Sequence, residues 1–239
     1  VARKRPDMSK ALSNTLRDLT QRAGVWPTLR RLRSSLRGEV GAWVRAGCPD
    51  PPPNVVKIAI VRSYLSRFGL RRFIETGTFW GAMTDAIGRT GVRVDSIELD
   101  ERLFERARRI FANRPNITIH QGDSAKVLPT LLEKLDEPAL FWLDAHWSGP
   151  GTARSELDTP ISAELGAILR HARPHVILID DARHFLGADG YPRLGQLLES
   201  VAALGSYGVT VSCDIIRCVA NGLVPKSGSV ESPGAPHAA

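Results

Sequence analysis

The sequence has few cysteines, no long apolar run and no apolar segment at its N-terminus. Its three cysteines (Cys48, Cys213 and Cys218) are too few and too irregularly spaced for a disulfide framework or a zinc site. No apolar run approaches the roughly 20 residues that a membrane-spanning helix needs. The basic N-terminus lacks the apolar core of a secretory signal. These features predict a cytoplasmic protein with reduced core thiols and no transmembrane segment.

Two phosphate-binding motifs are also missing. The chain has no Gly-x-x-x-x-Gly-Lys-Ser/Thr sequence and no full Gly-x-Gly-x-x-Gly sequence. The first absence argues against a polyphosphate site. The second, together with the lack of a dehydrogenase-like base motif, argues against a dinucleotide-dependent oxidoreductase.

Positive charge is concentrated in the first 45 residues. They hold 11 lysines and arginines against three acids, which leaves +8, whereas the rest of the chain carries 21 basic and 22 acidic side chains. Leu29, Leu32, Leu36, Val40 and Trp43 recur at helical spacing in this segment, which predicts a basic amphipathic helix. Such a helix could pack on the body or on a second subunit, cover a site as a lid, or contact a membrane or a polyanion. A homo-oligomer formed through the N-terminal helices is therefore one possible arrangement.

Composition divides the chain into four segments. We expect a basic helical arm at 1–48, a stiff Pro-rich linker at 49–54, one folded domain at 55–220 and a disordered Pro/Gly/Ser-rich tail at 221–239. Within the domain, short apolar segments alternate with helix-length segments. This alternation predicts an α/β fold, a doubly wound and mostly parallel Rossmann-like sheet with helices on both faces.

An acid follows or ends each predicted parallel strand. These acids are Glu75, Glu98, Asp123, Asp144 and the pair Asp180–Asp181. Because the carboxyl ends of parallel strands meet at one crevice, we expect these side chains to converge there. An acid-lined crevice without phosphate-binding glycines suits a cationic ligand that carries a nucleoside.

Three motifs in sequence resemble those of the class I S-adenosylmethionine-dependent methyltransferases. They are Glu-Thr-Gly-Thr-Phe-Trp-Gly at 75–81, Ile-Glu-Leu-Asp at 97–100 and Gly-Asp-Ser at 122–124, and the resemblance covers roughly residues 73–219. It implies S-adenosylmethionine as cofactor, with its methionyl end at the first motif, its ribose at the second and its adenine at the third. The residues implied to contact the cofactor are Glu75, Thr76, Gly77, Thr78, Gly81, Glu98, Asp123, Ser124 and Asp144.

The acids of the fourth and fifth strands predict a metal site. Three carboxylates, Asp144, Asp180 and Asp181, suit a hard octahedral cation such as Mg²⁺. This arrangement is similar to the metal-dependent O-methyltransferases, including those acting on sugars in antibiotic pathways. The similarity implies a small or glycosylated hydroxyl compound as acceptor and places His146 where some of these enzymes have a general base. His184 is a weaker candidate for the same role.

Two other functions remain open from the sequence. A nucleic-acid methyltransferase could use the basic arm for phosphate contacts, but the Asp144-Ala145-His146-Trp147 segment lacks the Asn/Asp-Pro-Pro-aromatic pattern of base amino methylation. Nucleic acid is therefore an unlikely acceptor. A cofactor-binding protein without catalysis could instead use the arm to dock a partner.

The segment 148–164 matches no motif that we can assign. It carries Thr152, Arg154, Asp158 and Glu164. Its polar density predicts a substrate-recognition insert.

Overall fold

The computed structural model describes residues 38–144, 160–188 and 190–226. Helices and strands alternate along these residues, as the sequence predicts. Their bounds are α1 (Glu39–Arg45), α2 (Asn54–Phe68), β1 (Arg72–Thr76), α3 (Ala82–Gly88), β2 (Arg93–Glu98), α4 (Glu101–Ile110), β3 (Ile117–Gln121), α5 (Ser124–Leu132), β4 (Leu140–Leu143), α6 (Ile161–Leu169), β5 (Val176–Ile179), α7 (Leu194–Ala203), β6 (Tyr207–Ser212) and β7 (Ile215–Ala220).

The described strands form one seven-stranded sheet in the order β3-β2-β1-β4-β5-β7-β6. The first five strands are parallel to one another, and β7 is antiparallel to both β5 and β6. From β1 the chain moves outward to β3 and then returns to the other side of β1 at β4. In open α/β sheets, a ligand crevice forms at such a switch point, outside the carboxyl ends of the strands. The predicted α/β fold with a mostly parallel sheet is confirmed.

The sheet separates two apolar layers. On one face Ile74 and Phe141 pack with residues of α5, α6 and α7, and on the other face Phe73 and Trp142 pack with residues of α2, α3 and α4. Strands β4 and β5 are buried on both faces, which explains why they read as continuous apolar runs. The two layers together make the sheet a rigid support for the crevice.

The observed elements differ from the predicted ones mainly at helix ends. Helix α6 ends at Leu169, although its apolar pattern predicts a helix to about residue 173. Pro174 follows shortly after, and the residue before a proline disfavours helical geometry. The final strands form a hairpin whose two turn residues, Cys213 and Asp214, both have positive φ, as the turns that match strand twist require.

The two ends of the domain extend somewhat beyond the sheet. Helix α1 falls within the amphipathic helix predicted for the arm, and residues 1–37 of that arm lie outside the described residues. At the other end, the backbone N–H of Lys226 donates to the carbonyl of Arg67 at 2.7 Å. None of the helices in the described part of the chain has the length and apolarity to cross a membrane.

Candidate functional site

A glycine turn connects β1 to α3 at the carboxyl edge of the sheet. Gly77, Phe79 and Gly81 all have positive φ, at 85°, 48° and 73°. A Cβ on Gly81 would lie 3.0 Å from the ring of Phe111, so this position has neither the conformation nor the space for a side chain. Thr78, inside the turn, is buried and shares a 2.7 Å hydrogen bond with the hydroxyl of Ser96. The turn therefore brings backbone close to whatever occupies the crevice.

Glu75 lies in β1, two residues before Gly77, the first glycine of the turn. Its buried carboxyl accepts hydrogen bonds from the hydroxyls of Thr84 and Ser96, the second at 2.8 Å. Burial raises the pKa of Glu75 to about 8, although both hydrogen bonds work in the opposite direction. Both hydrogen bonds reach the same oxygen, Oε2, and tie the side chain to α3 and β2.

Glu98 ends β2 and holds the turn through two backbone hydrogen bonds. Its Oε2 accepts from the N–H of Phe79 at 2.7 Å, and its Oε1 accepts from the N–H of Asp100 at 2.9 Å. Burial raises the pKa of Glu98. Each carboxylate oxygen retains a second lone pair, so the same group can also accept from a vicinal diol.

The third motif forms the start of α5. Asp123 caps this helix, because its Oδ1 accepts from the backbone N–H of Ala125 at 3.0 Å. Ser124 is the first helical residue and is buried. Both residues therefore lie at the carboxyl edge of the sheet, beyond β3.

The structure brings the three predicted metal ligands together. One carboxylate oxygen from each of Asp144, Asp180 and Asp181 lies within 4.8 Å of the others. Asp144 is half-buried at the end of β4, and the other two are buried at the end of β5. The donor set is made only of carboxylate oxygens, which is the chemistry that Mg²⁺ prefers, so these residues fit the predicted ion.

Sequence reasoning missed two cations beside this cluster. The Nζ of Lys57, on α2, lies 2.5 Å from Asp180 Oδ2 and 3.3 Å from Asp181 Oδ1. The guanidinium of Arg183 contacts Asp181 at 2.9 Å and also Asp214 in the β6–β7 turn. Lys57 precedes every motif in the chain, and only the packing of α2 against the sheet reveals its position.

Charge and burial act against each other at Lys57. Burial disfavours the ammonium, but the charges of Asp180, Asp181 and Asp144 and the hydrogen bond to Asp180 outweigh it, so the pKa of Lys57 is raised. The pKa of Asp180 is also raised, by burial and by the charge of Asp144, against the opposing effect of Lys57. Among the described residues, this is a site where negative charge is held at high density and attracts cations.

A buried carboxyl group in α6 makes no hydrogen bond of good geometry within the described part of the chain. Both oxygens of Glu164 and the hydroxyl of Thr76 are buried without a partner among the described residues. The Thr76 and Ser124 hydroxyls nevertheless lie near the Glu164 carboxyl: burial raises its pKa to about 7, and these two hydroxyls act in the opposite direction. Glu164 is thus a buried residue in the first turn of α6, at the crevice edge.

Three predicted elements cannot be placed in the crevice. His146 and most of the 148–164 segment, including Thr152, Arg154 and Asp158, lie outside the described residues. His184 lies in a short 3₁₀ turn after β5, where it is exposed and its ring is 5.9 Å from that of Tyr191. The base therefore remains a prediction from the sequence.

Comparison with curated proteins gives partial matches. No known family model matches the chain. It is 38% identical over 55 residues to the ribosomal RNA small subunit methyltransferase A of Pseudomonas savastanoi pv. phaseolicola, covering 23% of this chain and 20% of that protein. The same enzyme of Pseudomonas putida is 30% identical over 101 residues, covering 36% of this chain and 38% of that protein. The chain thus spans only about a fifth to two fifths of these relatives.

Comparison with solved structures gives matches over most of the chain. The O-methyltransferase from Bacillus cereus in complex with SAH has a TM-score of 0.54 and 19% identity, over 82% of this chain and 98% of that one. The O-methyltransferase TomG from Streptomyces achromogenes, in complex with SAM, has a TM-score of 0.54 and 19% identity, over 76% and 86%. The chain therefore has the fold of the class I S-adenosylmethionine-dependent methyltransferases, and the fold expected from its motifs is confirmed.

Proposed function

We propose that this protein is an S-adenosylmethionine-dependent O-methyltransferase that acts on a small or glycosylated hydroxyl compound. One observation carries the proposal. The glycine turn and Glu98, on β1 and β2, lie at the same sheet edge as the carboxylate cluster on the neighbouring strands β4 and β5. A site for a cationic nucleoside and a site for a hydroxyl acceptor therefore lie side by side.

The cofactor half of the site is made by β1 and β2. Glu98 would accept hydrogen bonds from the two ribose hydroxyls, in addition to those that it accepts from Phe79 and Asp100. The turn from Gly77 to Gly81 would place the methionyl end against its backbone. The oxygens of Thr76 and Glu164 that lack a partner within residues 38–144, 160–188 and 190–226 support this proposal, because buried polar atoms without partners are uncommon where no ligand or water meets them.

The acceptor half of the site is made by β4 and β5. Asp144, Asp180 and Asp181 would hold Mg²⁺, with Lys57 beside them. The bound ion would supply positive charge that lowers the pKa of an acceptor hydroxyl. The three carboxylates fix where that charge lies, and the rigid ends of β4 and β5 fix where the acceptor oxygen is presented.

A base must take the hydroxyl proton before the oxygen attacks the sulfonium methyl group. We assign this role to His146, which follows Asp144 by two positions and whose ordinary pKa lies near neutrality. The oxygen then forms the new bond to the methyl carbon as the carbon–sulfur bond breaks, in line. The product pair is the methyl ether and S-adenosylhomocysteine, with the proton on the base.

Labelled S-adenosylmethionine tests this function directly. The protein would be incubated with the methyl-labelled cofactor and a panel of phenols, glycosides, amines and RNA, each with Mg²⁺ or with EDTA. We expect label in a hydroxyl compound, with less transfer in EDTA and in Asp180→Asn. Label in RNA alone would instead favour an acceptor like that of the ribosomal RNA methyltransferases. Cofactor binding without transfer to any compound would favour a non-catalytic role.

A further inference from the structure

Three buried polar atoms at the edge of the crevice have no partner among the described residues. They are Oε1 and Oε2 of Glu164 and Oγ1 of Thr76, and both residues are almost fully buried. A buried polar atom without a hydrogen bond destabilises the folded chain, and more strongly if it is charged. Three such atoms in one place are therefore expected to meet hydrogen-bonding atoms that come from outside this part of the chain.

The fold places these atoms where a ligand of the crevice ends. Thr76 is the last residue of β1, and Glu164 lies in the first turn of α6. Because α6 leads into a parallel strand, it runs opposite to the strands and begins at their carboxyl edge. Ser124, at the start of α5, lies at the same edge and near the Glu164 carboxyl, although its hydroxyl is not one of these three atoms.

We expect the adenine base of the proposed cofactor to lie near the oxygens of Glu164 and Thr76. If Glu98 at the end of β2 binds the ribose, the base lies about one strand spacing away, roughly 5 Å. The neighbours of β2 are β1, which ends in Thr76, and β3, which leads to Ser124. Glu164 lies near both Thr76 and Ser124. It therefore borders the space that the base would fill, whether the base lies towards β1 or towards β3.

We propose, on the basis of the function proposed above, that Glu164 recognises the amino edge of the adenine ring, with the hydroxyls of Thr76 and Ser124 beside it. Adenine presents a donor, its 6-amino group, next to an acceptor ring nitrogen. A protonated carboxyl presents an acceptor next to a donor, so the two edges are complementary.

The surroundings of Glu164 favour the protonated form. Burial raises the pKa of its carboxyl to about 7, and the nearby charge of Asp123 acts in the same direction, while the hydroxyls of Ser124 and Thr76 act against it. A glutamine at this position would present the same acceptor and donor without titrating. A leucine would have a similar size and present neither.

Titration calorimetry with two ligands tests this role. S-adenosylhomocysteine and its 6-deamino analogue, which carries an unsubstituted purine, differ only in the base edge, where the second has a hydrogen in place of the amino group. Wild-type protein should prefer the adenine ligand by tenfold or more, because a site built to pair with a polar group rejects the analogue that lacks it. Glu164→Gln should keep this preference, and Glu164→Leu should lose at least tenfold in affinity for the adenine ligand and lose most of the preference.

Melting of the ligand-free variants separates recognition from support of the fold. If Glu164 serves the ligand, Glu164→Leu should melt at the wild-type temperature or above it, because an unpaired buried carboxyl has been replaced by an apolar group. A lower melting temperature, with an unchanged preference between the two ligands, would overturn the proposal and leave a carboxyl that binds a structural water. Thr76→Val offers a smaller change at the same place and should weaken adenine binding without unfolding the chain.

The two proposals fail in different ways. If wild-type protein binds neither ligand, the proposed cofactor is wrong, and the role of Glu164 falls with it. If wild-type protein and Glu164→Leu bind both ligands with the same ratio of affinities, the cofactor stands and only the role of Glu164 is overturned.

Discussion

The ammonium group of Lys57 lies 2.5 Å from the carboxylate of Asp180, across 123 positions of sequence. The pair connects α2, which precedes the sheet, to the end of β5, the strand between β4 and β7. The lysine therefore couples the first helix of the folded domain to the cluster that we propose as the acceptor site.

Removing Lys57 should destabilise the fold. Its side chain is 13% exposed and those of its partners are 2% and 6% exposed, so Lys57→Met leaves the buried Asp180 carboxylate without its compensating charge, while Arg183 still contacts Asp181. Breaking one side of a buried ion pair typically costs about 3–5 kcal/mol. Urea denaturation would measure this loss, with Lys126→Met as the control, since that lysine side chain is 72% exposed. Equal stability of Lys57→Met and wild type would show that the ion pair does not hold α2 to the sheet.

Magnesium should partly restore the stability of Lys57→Met. A cation bound by Asp144, Asp180 and Asp181 stabilises the folded chain more as its concentration rises above its Kd, and the variant removes the positive charge of Lys57 that competes with it. Thermal melting with and without millimolar Mg²⁺ would measure the effect. Adding Asp180→Asn to the same variant should abolish it, whereas Asp136→Asn, which changes an exposed acid elsewhere, should not. If Mg²⁺ changes the melting temperature of none of the three proteins, the result would argue against a metal site.

Glycine is required at position 81 but not at position 195. Gly81 has φ of 73° and a Cβ there would meet the Phe111 ring at 3.0 Å, whereas a Cβ on Gly195 meets nothing within 4 Å. We expect Gly81→Ala to lose about 1–3 kcal/mol of unfolding free energy and to weaken cofactor binding. Gly195→Ala should gain up to about 1 kcal/mol, because alanine is the better helix former. The same denaturation experiment on both variants checks the pair, and an equal effect on both would contradict the strained turn.

Stability should fall as pH rises through the range in which Glu75 ionises. The pKa of its buried carboxyl is raised from about 4.5 to about 8, so between these values the folded chain holds a proton that the unfolded chain has released. The stabilising contribution is complete below pH 4.5 and is lost as pH approaches 8. Melting from pH 5 to 8.5 should show this loss in wild type and less of it in Glu75→Gln. Glu133→Gln, at an exposed site, should follow wild type; if Glu75→Gln does so too, Glu75 is not the titrating group.

The fold and half of the site could be predicted from local signals. Alternating apolar segments predict the sheet, and the acid after each strand identifies Glu98, Asp123, Asp144 and the Asp180–Asp181 pair as neighbours. The rest depends on packing between distant segments. Lys57 carries no motif, and its contact with Asp180 arises only when α2 docks on the sheet.

Glu164 is a second residue of the site that local sequence signals do not identify. In the sequence it is one of several polar residues in a segment without a motif, near the start of a helix predicted from about residue 160. In the structure it lies in the first turn of α6 and is buried together with Ile161, Leu165 and Ile168. A carboxylate on the apolar face of a helix is an exception to helix amphipathicity, and that exception was the available signal.

Binding of S-adenosylhomocysteine, measured by titration calorimetry, tests the central claim most directly. We predict binding in the micromolar range by wild-type protein, weakened about tenfold or more in Glu98→Gln, because one charge-assisted hydrogen bond to the ribose is lost. Glu101→Gln, an exposed glutamate three positions away, should bind as wild type does. No heat of binding at 100-fold higher ligand concentration, or equal binding by all three proteins, would contradict the account.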